Sequence, residues 1–330
     1  MAILANQKVL TLDYWKPANK LQVGDYLFNK DGGIVQVKIV QEYRVEECYN
    51  ITFNDHLKIS GDKNLGFLIE NRKYRNQIHV YKAIRKFRRP LKFINVENLQ
   101  ELSLKDSRNR LAFSLPTAAP LAFPHQFLDI PPFVFGYWFF NANAKGELTF
   151  SNENKDLVIE KFKNAGYKVI EGLRISSSRQ KFKTIPSINQ QLTFNIPTQI
   201  PKNYIFSGID QRLELLSGII QAKSRQYNKT KDKFRISSFD RRIFLQIQEL
   251  VETLGNKTVP MYDPLRKTYT VFFKTKHRLI EGQVSPPVKV HYARRFIKQI
   301  EPIGAQLCVH IETDGKDNSF LVGEGFISCL

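Results

Sequence analysis

Short runs of alternating apolar and polar residues fill the first 60 positions of the chain, in KVLTL, YLFNKDGG, VQVKIVQEY and CYNITF. Alternation with a period of two is typical of half-buried strands. Asp31 and Gly32, followed by Gly33, separate two of these runs and predict a hairpin turn. From about residue 288 the chain returns to strand-like runs, in VKVHYARRFIKQIEPI, LCVHIET and SFLVGEGFIS. Both ends are therefore predicted to be rich in β-strands.

The middle of the chain follows a helical period, and it does so twice. Each copy opens with an apolar run around a central glycine, Gly136 or Gly218, and continues with a strand-like stretch that ends in serine. A second helical run then stops at a C-cap glycine, Gly166 or Gly255. In the second copy this last helix has apolar residues at helical spacing, namely Ile243, Phe244, Ile247, Leu250, Val251 and Leu254. Two copies of one helix–strand–helix unit predict an internal pseudo-dimer.

Residues 115–132 contain five of the chain's 15 prolines, which indicates a linker between regions of different pattern. We therefore expect an N-terminal part at 1–115, a linker at 116–132, a repeat domain at 133–282 and a returning C-terminal part at 288–330. The two repeats cover 133–200 and 211–282. Because β-rich ends enclose a mixed helix-and-strand middle, the predicted fold class is α+β.

Net charge is the most informative property of the composition. The chain has 50 lysines and arginines and 31 acidic residues, which gives a net charge of +19. A protein this basic is typically a partner of a polyanion, since each neutralised phosphate releases condensed counterions. The alternative is a solvated basic surface from an A/T-rich genome that favours Lys and Asn codons. A basic segment with interleaved aromatics at 71–93 is part of this excess.

Other features narrow the class of protein. No stretch approaches the roughly 18–20 uncharged apolar residues of a membrane span, and the N-terminus lacks the basic and apolar regions of a signal peptide. The three cysteines, Cys48, Cys308 and Cys329, are scattered and match no zinc-site spacing. We therefore expect an intracellular protein with reduced thiols that is neither secreted nor bound to a membrane.

The repeated middle resembles the LAGLIDADG homing endonucleases. GYWFFNA, at 136–142, stands where that family often has GYWLGDG, and GIIQAKS, at 218–224, stands where it often has GLMDTDG. The phrase IPKNYIFSGIDQRLELLSGII is close to the family's approach to its second helix. The resemblance implies that two helices pack at Gly136 and Gly218 along a pseudo-twofold axis, within a monomer. Ordinary core helices of an unrelated protein are the alternative.

In that family each glycine helix ends in a carboxylate that binds a divalent metal ion between two scissile phosphates. The corresponding positions here hold Asn141 and Lys223. An amide is a poor substitute for a carboxylate, and an ammonium group repels Mg²⁺, although Lys223 could contact a phosphate directly. No cofactor or metal is therefore expected, and Mg²⁺ enters only if displaced carboxylates sustain cleavage.

The two ends resemble inteins. KVLTLDYWKPANKLQVGDYLFNKDGG is similar to the opening phrase of these elements, and CVHIETDGKDNSFLVGEGFIS is similar to their closing blocks. The closest likeness is to inteins of phage large terminases and replicative helicases. The resemblance implies a β-rich, split, horseshoe-like Hint domain that both termini form, with the LAGLIDADG-like domain inserted between them.

Protein splicing needs a Cys or Ser nucleophile, a histidine in the first half and a terminal His-Asn pair. These positions fall on Ala2, Asn64, Cys329 and Leu330, so we expect no splicing. His56 lies nearby in sequence and is an alternative for the histidine role. Cys329 is read as a buried cysteine, with a reactive thiol as the alternative. Ala2 could also be an engineered replacement of a cysteine.

A LAGLIDADG-like fold lays strands of each repeat into the major groove of DNA, which is wide enough for two strands. Basic residues suited to this role, most of them as phosphate contacts, form four clusters. A turn at Asn228–Asp232 would present the second cluster, and a solvated basic face is the alternative for any single one. The residues are Arg174, Arg179, Lys181 and Lys183; Lys223, Arg225, Lys229, Lys231, Lys233 and Arg235; Arg266, Lys267, Lys274, Lys276 and Arg278; and, in the 71–93 segment, Arg85, Arg88 and Arg89 with their neighbours.

The sequence therefore predicts a nucleic-acid-binding pseudoenzyme that descends from an intein and its homing endonuclease, with double-stranded DNA as the leading partner. One alternative is a site-specific DNA endonuclease that uses displaced carboxylates. Another is an RNA-binding splicing factor of the maturase kind, and a third is a decaying element without a selected role. The sequence does not decide whether the protein is an enzyme, because the implied ancestry is catalytic and the expected catalytic residues are replaced.

Overall fold

The computed structural model of the chain describes residues 1–71, 91–143, 147–151, 155–191, 197–223, 233–275, 277–280 and 294–330. The chain divides into two compact units. The first unit comprises Met1–Ala122 and Val290–Leu330, and the second comprises Phe123–Lys289. Helices and sheets occur together, which confirms the predicted α+β class. Within the described ranges, no helix combines the length and the apolar character that a bilayer crossing requires.

The elements are numbered along the chain. Before the proline-rich segment they are β1 (Ala2–Leu4), β2 (Lys8–Leu10), β3 (Trp15–Pro17), β4 (Tyr26–Phe28), β5 (Ile34–Phe53), β6 (Lys58–Asp62), β7 (Gly66–Asn71), β8 (Lys92–Asn95), α1 (Val96–Gln100) and β9 (Phe113–Pro116). In the middle they are α2 (Pro132–Asn141), β10 (Leu148–Ser151), α3 (Lys155–Asn164), β11 (Lys168–Ser176), β12 (Arg179–Ile185), α4 (Ile188–Gln191), α5 (Lys202–Ile205), α6 (Ile209–Lys223), β13 (Lys233–Ser238), α7 (Arg241–Thr253), β14 (Thr258–Asp263) and β15 (Thr268–Lys274). The chain closes with β16 (Arg294–Thr313), β17 (Phe320–Val322) and β18 (Ile327–Cys329).

Two strands of 20 residues, β5 and β16, organise the first unit. They pair with each other in antiparallel register, and β1 and β6 link them on the other side, so these four strands close a ring. The sequence pattern predicts separate short strands in this region, and that prediction is wrong. Because β16 pairs along nearly all of β5, the polar stretch in the middle of β5 stays extended instead of forming a loop.

Local signals place the turns correctly. The predicted hairpin joins β4 to β5 through Asp31–Gly33, and Gly32 adopts a positive φ of 78° that favours glycine. The proline-rich segment predicted as a linker has no regular elements between β9 and α2, but it is packed, because Leu121 and Ile130 are fully buried. Its apolar side chains therefore hold it against the units to which they belong.

The second unit contains two copies of one topology. In each copy a glycine-containing helix precedes a strand, a second helix and a hairpin, and the three strands form a sheet with the last strand in the centre. The second helices, α3 and α7, end before Gly166 and Gly255, which have φ values of 87° and 75°. In α7 the predicted apolar face is buried at Phe244, Ile247, Leu250, Val251 and Leu254 and partly buried at Ile243.

A buried ion pair joins two strands of the first unit. Arg294 Nε on β16 lies 2.6 Å from Glu70 Oε2 on β7, and the two side chains are only 2% and 6% exposed. Replacing Arg294 with methionine leaves the carboxylate of Glu70 buried without this partner. We expect Arg294→Met to lower the free energy of unfolding by about 3–5 kcal/mol in urea denaturation.

The matched control for this prediction is Arg44→Met, because Arg44 and Glu46 form an ion pair whose side chains are 73% and 82% exposed. The control should cost less than about 1 kcal/mol. The double change Arg294→Met with Glu70→Leu should recover most of the lost stability, since it removes both charges. Equal effects of Arg294→Met and the control would contradict the prediction.

Candidate functional site

The helices α2 and α6 of the second unit cross at their glycines. A Cβ atom on Gly136 would lie 2.5 Å from the carbonyl oxygen of Leu215 and 3.1 Å from the backbone nitrogen of Ile219. A Cβ atom on Gly218 would overlap the carbonyl oxygen of Phe133. The contact is reciprocal, because each glycine faces the backbone of the other helix. Only glycine fits at either position without moving a helix.

The C-terminal ends of these two helices lie near each other. Asn141 is the last residue of α2, and its Nδ2 donates a hydrogen bond to the carbonyl oxygen of Thr149. Lys223 is the last residue of α6, and its Nζ lies 5.8 Å from the centre of the Phe140 ring. The hydroxyl of Tyr137 donates to the same Thr149 carbonyl at 2.6 Å. The positions of the family's two carboxylates thus hold an amide and an ammonium group.

These helix ends do not fit a divalent cation. The Asn141 amide nitrogen is engaged as a donor, and the Lys223 ammonium group would repel Mg²⁺. Across the described residues, no cluster of three His, Cys, Asp or Glu side chains could hold a metal ion. Glu147 belongs to the same repeat, but it binds Lys181 Nζ at 3.0 Å. A hydrogen bond from Asn143, together with Lys181, lowers the pKa of the Glu147 carboxyl group.

The first sheet of this unit, β10–β12–β11, has one face in the core and one face outward. Phe182 and Leu148 pair in register and are buried. Because side chains alternate along a strand, Arg179, Lys181 and Lys183 share the opposite, outward face, and Ile170 of β11 pairs with Lys183 there. We call these four residues the first sheet face.

Two arginines of this hairpin are exposed to solvent. Arg174 on β11 and Arg179 on β12 are exposed, and no carboxylate in the described ranges forms an ion pair with either. Lys181 and Lys183 differ, since Glu147 lies 3.0 Å and 3.9 Å from their Nζ atoms. The two lysines therefore carry a partly neutralised charge.

The second sheet, β13–β15–β14, presents an outward face of the same kind. Arg235 of β13, Phe272 of β15 and Val259 of β14 lie across from one another in register. The guanidinium carbon of Arg235 lies 5.8 Å from the centre of the Phe272 ring. Met261 follows on the same face of β14. We call Arg235, Val259, Met261 and Phe272 the second sheet face.

Other predicted basic residues have different surroundings. Arg266 and Lys267 lie in the turn between β14 and β15, where Arg266 Nε is 3.8 Å from Asp263 and Lys267 has a positive φ of 49°. Lys274 ends β15 opposite Lys233 in register, and Arg278 is exposed. The remaining predicted contacts lie outside the described residues, namely Arg85, Arg88, Arg89, Arg225, Lys229, Lys231 and Lys276.

In the first unit the turn between β6 and β7 gathers three of the predicted splicing positions. The backbone nitrogen of Ala2 donates to Asp62 Oδ1 at 3.0 Å, and Asn64 Nδ2 donates to Asp62 Oδ2 at 3.4 Å. Leu330 and Gly66 exchange two backbone hydrogen bonds of 3.0 Å. His56 lies in the turn at the opposite end of β6, roughly 16 Å of strand away. The structure thus does not bring His56 into the group formed by Ala2, Asn64 and Leu330.

Two residues of this site escaped the sequence-based prediction. Asp62 is buried and accepts the Ala2 amide proton. His310 Nδ1 donates to the carbonyl oxygen of Met1 at 2.9 Å, while its Nε2 lies 2.9 Å from Glu312. Together Asp62 and His310 hold both polar atoms of the peptide bond between Met1 and Ala2. Alternation in CVHIE could have placed His310 and Glu312 on one face, but only the pairing of β1 with β16 shows what they face.

The three cysteines are buried, and their thiols are protected. Cys48 Sγ lies 3.4 Å from Cys308 Sγ between two long strands, and Cys329 is fully buried on β18. Burial raises the pKa of the Cys308 thiol to about 12 and also raises the pKa of the Cys329 thiol. These surroundings favour inert thiols at both positions.

We therefore expect the native protein to react slowly with Ellman's reagent at pH 8, because the Cys308 and Cys329 thiolates are scarce and shielded. After unfolding in guanidinium chloride, all three thiols should react within minutes. Cys329→Ser should reduce the unfolded count by one and leave the slow native rate unchanged. A fast-reacting thiol in the native protein that Cys329→Ser removes would contradict the burial of Cys329.

Comparison with known proteins finds no protein-family model and no curated sequence that matches this chain. Among solved structures, it is similar to the MchDnaB-1 intein, with 22% identity and a TM-score of 0.20 over 21% of this chain and 53% of the other. The chain thus spans about half the length of that intein. It is also similar to the gp41-1 intein, with 18% identity and a TM-score of 0.23 over 34% of this chain and 74% of the other.

A further similar structure is I-DmoI in complex with DNA and Mn, with 12% identity and a TM-score of 0.31 over 44% of this chain and 89% of the other. Variants of the homing endonuclease I-DmoI match with 13% identity and the same TM-score over 48% of this chain and 96% of theirs. Inteins and a homing endonuclease thus both occur among the similar structures, each over part of the chain.

Proposed function

We propose that this protein is a DNA-binding descendant of an intein with an inserted LAGLIDADG homing endonuclease, and that it neither splices nor cuts. The first unit corresponds to a split Hint domain in this proposal. The second unit acts as a monomer whose two repeats are related by a pseudo-twofold axis. Its partner is double-stranded DNA.

The observation that carries the proposal is the pair of outward sheet faces. Two sheets of one topology each expose a strand surface with arginine or lysine next to aliphatic side chains. A two-stranded β-ribbon fits the major groove of B-DNA, and basic side chains on it reach phosphates on either side. The net charge of +19 supplies long-range attraction to the same polyanion.

The loss of catalysis in the proposal rests on the chemistry of the side chains present. Ala2 carries a methyl group where acyl transfer needs a nucleophile, although Asp62 and His310 hold its peptide bond. Asn141 and Lys223 supply no carboxylate at the helix ends that would hold Mg²⁺ beside a phosphate. In this proposal the first unit still positions the peptide bond between Met1 and Ala2, and the second unit still binds phosphates.

Fluorescence anisotropy with a labelled 40-base-pair duplex of random sequence tests DNA binding. We expect binding whose log K falls with log salt at a slope steeper than about −3, since several phosphates are neutralised. A structured RNA that competes more strongly than duplex DNA at every salt concentration would favour the maturase-like alternative. Absence of binding to both duplex DNA and structured RNA would contradict the proposal.

Cleavage is tested separately on a supercoiled plasmid that carries a sequence selected for binding. The full chain is incubated with Mg²⁺ or Mn²⁺, and the plasmid is expected to remain supercoiled. Linear product that depends on the metal and on the selected sequence would overturn the non-cutting part and favour a nuclease with displaced carboxylates.

A further inference from the structure

We propose that the two sheet faces recognise thymine, through contacts between exposed β-branched side chains and the 5-methyl group in the major groove. Ile170 and Val259 are the specificity-determining residues. This inference rests on the proposed binding of duplex DNA and adds what the protein selects within it.

Exposed apolar side chains are concentrated in the hairpins that form the two sheet faces. Of the 20 large apolar side chains that are exposed in the described parts of the chain, eight lie in residues 168–185 and 258–274. They are Ile170, Leu173, Ile175, Ile185, Val259, Met261, Tyr262 and Leu265. The two hairpins make up only a small part of the sequence, so the concentration marks them as a contact surface.

Ile170 and Val259 occupy equivalent places. Each follows the C-cap glycine of its repeat, Gly166 or Gly255, by four residues and lies on the outer strand of its sheet. Their side chains are 45% and 56% exposed. The two repeats are therefore similar in these exposed positions as well as in their cores.

One basic residue lies on the same sheet face as each of these side chains. Ile170 pairs in register with Lys183, and Val259 lies across Phe272 from Arg235. Because the same face is positively charged, we expect its partner to be a polyanion. The aliphatic side chains would then contact an apolar group on that polyanion. In DNA this group must lie in the groove, at a depth that a strand can reach.

Thymine supplies such a group. Its C5-methyl is the one apolar substituent that unmodified bases display in the major groove, and apolar side chains commonly contact it. Phosphate contacts by Lys183 and the neighbouring arginines would orient the strand without reading sequence. The aliphatic side chains would therefore supply part of the discrimination that the basic residues lack.

The test removes only the methyl groups. Duplexes of 40 base pairs are selected from a random library with the full chain, and the bound pool is copied with either dTTP or dUTP. Burial of one methyl group corresponds to a factor of about four in Kd, so two such contacts predict about a 15-fold weaker Kd for the uracil pool. In Ile170→Ser/Val259→Ser the thymine and uracil pools should bind with equal Kd values.

Ile34→Ser/Ile39→Ser is the matched control, because these isoleucines are exposed on β5 of the first unit. It should keep the preference of about 15-fold for the thymine pool. Equal Kd values for the thymine and uracil pools with the unsubstituted chain would overturn the thymine inference while leaving DNA binding intact. A preference that persists in Ile170→Ser/Val259→Ser would also overturn it, because other residues would then read the methyl group. Absence of binding to both pools would overturn the proposed function itself.

Discussion

Replacing Gly218 with valine should lower the free energy of unfolding of the second unit by about 3 kcal/mol. A side chain at this position overlaps the carbonyl oxygen of Phe133, and the backbone nitrogen of Tyr137 lies only 3.0 Å from the added Cβ. Both obstacles are backbone atoms of α2, so the crossing helix must move as a whole. The gain in helix propensity over glycine is smaller than this cost.

Tryptophan fluorescence can measure this change in the second unit alone. The chain has two tryptophans, and Trp138 lies buried on α2 while Trp15 belongs to the first unit. In a Trp15→Phe background, the urea unfolding of Trp138 reports on the helix crossing. Gly136→Val should act similarly, because a Cβ on Gly136 would lie 2.5 Å from the Leu215 carbonyl oxygen.

Gly172→Ala is the matched control for both substitutions. It lies on β11 of the same unit, and the nearest atom to an added Cβ is 3.6 Å away. We expect the free energy of unfolding to change by less than about 1 kcal/mol. If Gly218→Val were as well tolerated as this control, the close approach of the two helices would be wrong.

The simultaneous change of Arg174, Arg179 and Arg235 to alanine should weaken binding to duplex DNA about 100-fold at 0.15 M salt. Each phosphate contact contributes about −0.9 to the slope of log K against log salt, and three such contacts at this concentration correspond to about two orders of magnitude. These arginines are chosen because they are exposed and form no ion pair with a carboxylate in the described ranges, unlike Lys181.

The salt dependence provides a second readout of the same variant. The slope should become shallower by about 3, because three counterion-releasing contacts are lost. Lys20→Ala/Arg44→Ala/Arg108→Ala removes the same charge from exposed positions of the first unit and serves as the control. Equal loss of affinity in both triple variants would mean that net charge, and not the sheet faces, determines binding.

Much of the second unit follows from local patterns. The helical spacing from Phe244 to Leu254 predicts the buried face of α7, and the glycine positions predict where α6 and α2 would touch. Both signals are periodic and lie within one element, so nearest neighbours determine them. The length of β5 and β16 could not be predicted from local patterns. A polar stretch forms a strand only when a partner distant in sequence supplies its backbone hydrogen bonds.

In the candidate site of the first unit, too, local motifs predicted some residues, whereas contacts between distant residues were not predictable. The motifs predict that Ala2 and Asn64 stand where the nucleophile and the histidine of an intein would be. Asp62 and His310 could not be recognised, since their partners Ala2 and Met1 lie 60 and 309 residues away in the chain. Contacts of such separation depend on strand order and register.

The sequence by itself determined the chemical inventory of this protein: its positive charge, its repeated glycine helices, and the absence of nucleophile and paired carboxylates at the motif positions. Only the tertiary structure decided how those groups meet. It placed the Lys223 ammonium group over Phe140 and bound Lys181 and Lys183 to Glu147, while Ile170 and Val259 came to lie on outward faces. The physical reason is that residue type sets what a side chain can do, whereas sheet pairing and helix packing set its neighbours and its access to water.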